Sequence, residues 1–433
     1  MAEVKLSIAD KPTLDKVLVN SEKILNAVSD SNTVFGFIER GDVLAPSQRI
    51  EYIDANKDYI PFSLNTSTGA IAQNSWYGFD FLVQNRPAMV RRDGTFDYWL
   101  NAVDYTKKID GSDSDVANVD YDGNAFAWIP KIYKREKKIG DDRIVEFSMH
   151  HLDGFEPIGF KDPDGNELDG VWIPMFYGWR DSNGRMRSIA NGDIATHSLD
   201  LSQEFTAINA NGERYKFFAG TIIETLTDLM ILFAKTTELQ GAYGYGNSKG
   251  YVKTDTVTYG KTPNTATNCG QFYGTADGKS INRVFHSMVL ITQNQSQRDP
   301  YMIIDKGRLK VSPNYKHGFS ENTFIDGFVD TEFDVIDNST ITWTYPNHRE
   351  TIEGFGSFPS NSPNKGSTST GITDGVYASP KQSSIVGVPR RLGGCSDGET
   401  GGIRCLNLSG LASDVSWARG ASLLLLPPIA AYE

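Results

Sequence analysis

Two stretches of the chain carry the same tripeptide inside a strand-like run, and that tripeptide restricts how a sheet can use them. Residues 125–134 read Ala-Phe-Ala-Trp-Ile-Pro-Lys-Ile-Tyr-Lys, and residues 170–178 read Gly-Val-Trp-Ile-Pro-Met-Phe-Tyr-Gly. Short apolar runs of this kind are strand signals. Proline has no N–H to give to a ladder, so Pro130 and Pro174 are expected at strand ends, edges or bulges. Between the two runs, Phe155-Glu-Pro-Ile-Gly-Phe160 adds a smaller apolar patch.

Around this pair the text alternates short strands with turns. Phe35-Gly-Phe-Ile38, Ile50-Glu-Tyr-Ile53 and Phe79-Asp-Phe-Leu-Val83 are strand-like runs, separated by Gly-Asp, Asn-Lys-Asp and Arg-Asp-Gly clusters. Residues 109–124 are rich in Asp, Gly, Ser and Asn and read as an exposed loop or boundary. Residues 289–291 and 301–311 are strand-like, the second broken by the turn Asp305-Lys-Gly307. Residues 324–336 and 340–345 alternate apolar and polar side chains as half-buried strands do. Residues 357–383, crowded with Ser, Thr, Gly, Asn and Pro, read as a long surface loop.

Two helices stand out. In 12–30, Leu14, Val17, Leu18, Ile24, Leu25 and Val28 form one apolar stripe, with Thr13 placed to cap its start. This segment either joins copies of the chain, anchors it to a larger assembly or packs on its own domain. In 222–235, Ile222, Leu226, Leu229, Met230 and Phe233 share a face, and Thr221 and Glu224 have the spacing of a capping box. No period of 20–50 residues runs through the chain, which argues against a solenoid or propeller. The expected class is α+β, strand- and loop-rich. A chain of 433 residues exceeds one typical core. The expected organisation is an N-terminal helix (1–32) for oligomerisation or anchoring, a small β-rich module (33–124) and a larger domain (125–433).

Charge and cysteine content narrow the partners. The net charge of -12 repels phosphate backbones and anionic lipid, so no nucleic-acid partner is expected. Three cysteines, Cys269, Cys395 and Cys405, do not make a disulfide framework. They suit a protein made in a reducing cytoplasm, with one Cys395–Cys405 bridge compatible with the count. No signal peptide is read at the start, and the longest apolar stretch, 423–431, is interrupted by Pro427 and Pro428 and too short to span a bilayer, so no membrane insertion is expected.

The closing segment, 390–428, runs from a strand-like start through Gly393-Gly394 into a small polar loop. A second strand at 403–408 leads to another polar loop with Trp417, and Gly420 opens a final apolar strand. This order resembles the closing part of C-type-lectin-fold proteins. Within them it is similar to phage tropism determinants and retroelement-diversified variable proteins. Phe126-Ala-Trp-Ile-Pro-Lys-Ile-Tyr133 and Gly154-Phe-Glu-Pro157 resemble segments of phage and prophage structural proteins, so the resemblance covers 125–433. It implies a C-type-lectin-like receptor-binding or display domain over 125–433. It also implies a contact surface of Ser396, Asp397, Glu399, Thr400, Arg404, Asn407, Ser413, Asp414, Ser416, Trp417 and Arg419. Trp417 belongs either on that surface or packed beneath it. The diversified relatives favour Tyr and Asn at variable positions. Here 390–428 holds no Tyr and one Asn, Asn407, which argues against active diversification.

Enzyme chemistry finds no motif. The formylglycine-generating family ends similarly, but Cys395 and Cys405 do not match its copper pair. No Gly-x-Ser-x-Gly elbow is present, and the six histidines follow no hydrolase pattern, with His150-His151 read as surface. Asp162-Pro-Asp-Gly-Asn-Glu-Leu-Asp169 resembles half of an EF-hand loop but lacks its Gly at six and Glu at twelve, so a turn is the better reading. Asp113, Asp115, Asp120 and Asp122 read as a solvated acidic loop. The calcium motifs of sugar-binding lectins are missing. No cofactor and no metal are expected. The resulting expectation is a non-enzymatic phage virion adhesin, a tail-tip or fibre protein made in the host cytoplasm. It would be a homotrimer, bound to other virion proteins and to a host-surface glycan or protein receptor. The alternative is a structural head-fibre, decoration or baseplate protein without a receptor.

Overall fold

The computed structural model describes residues 32–190, 198–246, 269–274, 282–316, 318–319, 327–334, 342–359, 366–378, 386–394, 397–416 and 418–428. The helix expected over 12–30, together with Cys395, Ser396 and Trp417, lies outside the described residues. Strand outweighs helix, consistent with the strand-rich α+β expectation. Two antiparallel sheets organise the first half of the chain. One has four strands in the order Ile50–Asp54, Phe35–Glu39, Asp142–Ser148, Tyr133–Ile139. The other has six, in the order Tyr215–Phe217, Leu423–Leu425, Gly170–Pro174, Gly123–Pro130, Arg86–Arg91, Phe96–Trp99. The two Trp-Ile-Pro runs are direct neighbours, with Trp172 opposite Trp128. Pro130 and Pro174 are each the last residue of their strand, as the missing N–H requires.

A boundary at 124 is not where the sheets divide. The strand Arg86–Arg91 bonds along its length to Gly123–Pro130, and Phe35–Glu39 bonds to Asp142–Ser148. The Asp/Gly-rich stretch is a loop over 109–122, but Gly123 and Asn124 open a buried strand, and the loop connects elements of one sheet. Its flanking strands share one hydrophobic core, running from Phe35 to Leu426. The strand Leu423–Leu425 inserts between the edge strand Tyr215–Phe217 and Gly170–Pro174, so it joins that edge to the rest of the sheet.

A third sheet gathers short strands of the second half in the order Thr342–Thr344, Val376–Ala378, Leu406–Asn407, Arg390–Arg391, Ser296–Arg298, Arg419–Gly420, with parallel and antiparallel pairs mixed. A smaller core of Met302, Ile304, Leu309, Val311, Phe355, Phe358, Val376, Leu406 and Leu408 lies against it. The turn at Asp305-Lys-Gly307 joins Met302–Asp305 to Arg308–Val311 as expected.

Three local expectations are corrected. Residues 79–83 do not form a strand: Asp80–Gln84 is a short helix burying Phe81 and Leu82, because a five-residue apolar run carries no periodicity to separate the two. Residues 289–291 form a buried turn, tied by the Met288 N–H donating to the Met175 carbonyl at 3.1 Å. Residues 371–376 are not surface: Ile372, Thr373 and Asp374 are buried.

The helix Thr221–Ala234 runs through the centre, and every one of its residues is buried. Its periodic face was legible, yet a helix buried all round needs partners for its polar positions as well. Thr227 donates back to the Ile223 carbonyl at 2.6 Å, and Thr225 donates to the Ile158 carbonyl at 2.9 Å. The expected capping box is absent. Gly220 occupies the N-cap with φ +71°, its N–H donating to Asp299 at 3.0 Å, and Glu224 turns inward to meet arginines.

That inward turn belongs to a buried ionic network. Glu224 accepts from Arg349 at 2.9 Å and from Arg391. One helical turn on, Asp228 accepts from Lys134 at 2.5 Å and from Arg143 at 2.6 Å. Arg143 also reaches Glu39 at 3.0 Å and Glu136 at 3.2 Å, and Arg391 reaches Asp299. Glu39 in addition accepts from Arg49 at 3.2 Å and from both terminal nitrogens of Arg404, at 3.1 and 2.9 Å. The cations beside Glu39, Arg404 first, hold its carboxyl well below the usual carboxylate range although burial pushes the other way.

Candidate functional site

The sequence-predicted contact residues divide between surface and core. Glu399 and Ser413 are exposed; Asp397, Thr400, Asn407, Asp414, Ser416 and Arg419 are partly exposed. Arg404 does not belong to the surface. It is 4% exposed and forms the bidentate pair with Glu39 described above, with a guanidinium fork matched to a carboxylate. A charged residue in a Gly-rich polar stretch is ordinarily solvated, and a partner 365 residues away leaves no local trace.

The remaining residues form two loops. In the first, Asp397 accepts from the Gly394 N–H at 2.6 Å, and the Thr400 hydroxyl donates to the Asp397 carbonyl. The doubled glycines of the closing segment pack against each other: Gly393 has φ +64°, and a Cβ there would lie 2.7 Å from Gly401 Cα. In the second loop, Asp414 pairs with Arg419 at 2.6 Å, and the Ser416 hydroxyl accepts from the Ala418 N–H at 3.2 Å. Asn407 is used locally, accepting from the Ser409 N–H and hydroxyl.

The first loop forms part of an open groove of about 470 Å³. Glu399 lines it together with Pro46 and Ser47, Thr236, Glu238, Gln240 and Tyr245, and Thr368, Ser369 and Thr373. These four chain segments are stitched together beneath the floor. The Gly371 N–H donates to the Leu44 carbonyl at 2.7 Å, the Thr237 hydroxyl to the Gly371 carbonyl at 2.6 Å, and the Gly375 N–H to the Thr400 carbonyl at 2.8 Å. The Gln240 amide donates to the Gly401 carbonyl, and Glu238 caps the helix Leu239–Tyr243 through the Gly241 N–H at 2.8 Å. Among the described residues the lining is hydroxyl- and carboxylate-rich and holds no cation. Only Glu399 was legible beforehand, because the other segments are far apart in the chain and none carries a motif.

Behind the groove floor sits Asp374. Its carboxylate accepts from the Arg404 N–H at 2.7 Å. Burial is the main influence and pushes its pKa up to about 7; the Arg404 N–H and guanidinium and Arg349 oppose this, and Glu238 adds to it. Asp397 is also pushed up, by burial.

Among the described residues no group of three or more His, Cys, Asp or Glu is placed to hold a metal ion. Asp162 accepts from the Asp164 and Asn166 N–H groups, a turn as expected. The acids of 113–122 engage Lys107, Tyr98, Arg92 and Arg185, with Asp120 exposed. His150 and His151 are exposed. Cys405 is a buried free thiol whose pKa burial raises well above the usual value. No described helix is long and apolar enough to cross a membrane. No protein-family model matches the chain, and no curated protein matches it.

Two outcomes follow from this geometry. Arg404→Ala leaves Glu39 buried with one cation fewer and is expected to destabilise the fold by about 3–5 kcal/mol in urea unfolding, whereas Arg419→Ala should cost under about 1 kcal/mol. Asp374 makes stability fall as pH rises. Below the ordinary value of 3.8 both folded and unfolded states hold its proton; between there and about 7 only the folded state does; above that the contribution is lost. Asp374→Asn keeps an acceptor for the Arg404 N–H. It is expected to gain, relative to the native chain, on the order of 2–4 kcal/mol more at pH 8 than at pH 4, measured by denaturant midpoints at both pH values.

Proposed function

We propose that this chain is a phage virion adhesin, a tail-tip or fibre protein whose C-type-lectin-like C-terminal part binds a host-surface glycan or protein receptor through its loops. One observation carries the reading. The loop 397–400, singled out by the resemblance of the closing segment, lines the open polar groove through Glu399, and its backbone is tied to the core where the Thr400 and Gly401 carbonyls accept from Gly375 and Gln240. A binding surface on loops positioned by a rigid scaffold tolerates changes in exposed side chains without disturbing the core. Glu399, Thr400, Ser413, Asp414, Ser416 and Arg419 are the contact candidates on described surface; Arg404 serves as their support. Homotrimerisation through the N-terminal segment fits the mechanics, since weak single sites gain avidity when several copies engage together.

The test is adsorption. Purified protein is expected to bind host cells saturably and to block phage attachment. Glu399→Arg, an exposed change that adds bulk and reverses charge in the groove, is expected to weaken binding at least tenfold with an unchanged melting temperature. Absence of cell binding by the native trimer would refute the receptor reading, and full binding by Glu399→Arg would move the site off the groove.

A further inference from the structure

A second cavity, of about 180 Å³, opens between the helix Leu201–Asn209, the edge strand Tyr215–Phe217 and the turn around Pro313–Tyr315. Its walls are aromatic. The Phe205 and Phe217 rings lie 4.5 Å apart and tilted by 58°, and Tyr301 and Tyr315 meet edge to face at 5.4 Å. The two tyrosine hydroxyls are engaged elsewhere: Tyr301 accepts from the Phe217 N–H at 3.2 Å, and Tyr315 donates to the Gly159 carbonyl at 3.1 Å. What they offer the cavity is ring surface. Gly318 keeps the wall thin, since a Cβ there would come within 2.4 Å of the Phe205 ring.

Lys216 lines this cavity half-buried, and among the described residues no carboxylate stands within ion-pair distance of it. Burial pulls its pKa below the ordinary lysine value, against the more distant pull of Glu213. The exposed Lys316 adds a second positive charge to the lining, beside the exposed amide of Asn209. A half-buried ammonium without an anion is unfavourable, and an incoming carboxylate would supply the missing partner. A cavity of roughly 150 Å³ is enough to hold benzene.

We infer that this cavity is a binding site for a small carboxylate carried on a flat six-membered ring. The ring occupies the space between the aromatic walls, and the carboxylate pairs with Lys216. Inorganic phosphate would meet the charge and leave the rings uncovered; a neutral ring would fill the space and leave the ammonium unpaired. The site differs from the polar groove in sign, since among the described residues the groove is lined by Glu238 and Glu399 and by no cation. It does not depend on the adhesin reading.

Benzoate is the probe, titrated into the full chain by calorimetry, with benzyl alcohol and inorganic phosphate as controls. One equivalent of benzoate is expected to bind with sub-millimolar affinity, within what a ligand of this size can reach. Benzyl alcohol and phosphate should each bind at least tenfold more weakly. Lys216→Met should lower benzoate affinity at least tenfold while melting no lower than the native chain, because it removes an unpaired half-buried charge. Gly318→Ala should give a similar loss through the Phe205 ring, without touching the charge. Equal affinity for benzoate and benzyl alcohol, unchanged benzoate affinity in Lys216→Met, or no benzoate binding would each overturn the assignment.

Discussion

The structure depends on the pairing of buried charges around one helix. Glu224 and Asp228 sit one turn apart on Thr221–Ala234, and neither could stay ionised there alone. Arg349, Arg391, Lys134 and Arg143 make it possible, and Glu39 extends the cluster to Arg49 and Arg404. Replacing such a cluster with well-packed apolar residues can be neutral or stabilising, so its value is not a large net gain in stability. Its effect is positional. Each cation has few places where its fork or ammonium is satisfied, and those places join the first sheet, the central helix and the third sheet in one register.

This explains how loops near the C-terminus are held. The segment before Leu406–Asn407 is anchored from two sides: the Arg404 guanidinium on Glu39 of the first sheet, and the Arg404 N–H on Asp374. The chain then continues to Leu423–Leu425, which lies between Tyr215–Phe217 and Gly170–Pro174 in the six-stranded sheet. Exposed residues such as Glu399 and Ser413 therefore project from backbone fixed at both ends. Asp374, buried and raised to about 7, changes its charge near neutral pH.

What the sequence revealed follows the range of the physics involved. Pro130 and Pro174 were placed correctly because a missing N–H is a local constraint. The central helix was found because Leu226, Leu229, Met230 and Phe233 repeat on one face. Its capping was misread because Glu224 has a favourable local role and a stronger distant one, with arginines 125 and 167 residues away. Arg404 was misplaced for the same reason. The loop 109–122 was recognisable as a loop, but only the pairing of Arg86–Arg91 with Gly123–Pro130 shows that it is no break in the core. The groove was nearly invisible, since Ser47, Glu238, Ser369 and Glu399 meet only after folding.

Glu39 and Arg404 lock the C-terminal segment onto the first sheet. A double-mutant cycle with Glu39→Gln and Arg404→Met, read by urea unfolding, measures their coupling directly. A coupling energy above about 1.5 kcal/mol is expected, because the two side chains share a buried bidentate pair. Additive effects within about 0.5 kcal/mol would contradict it.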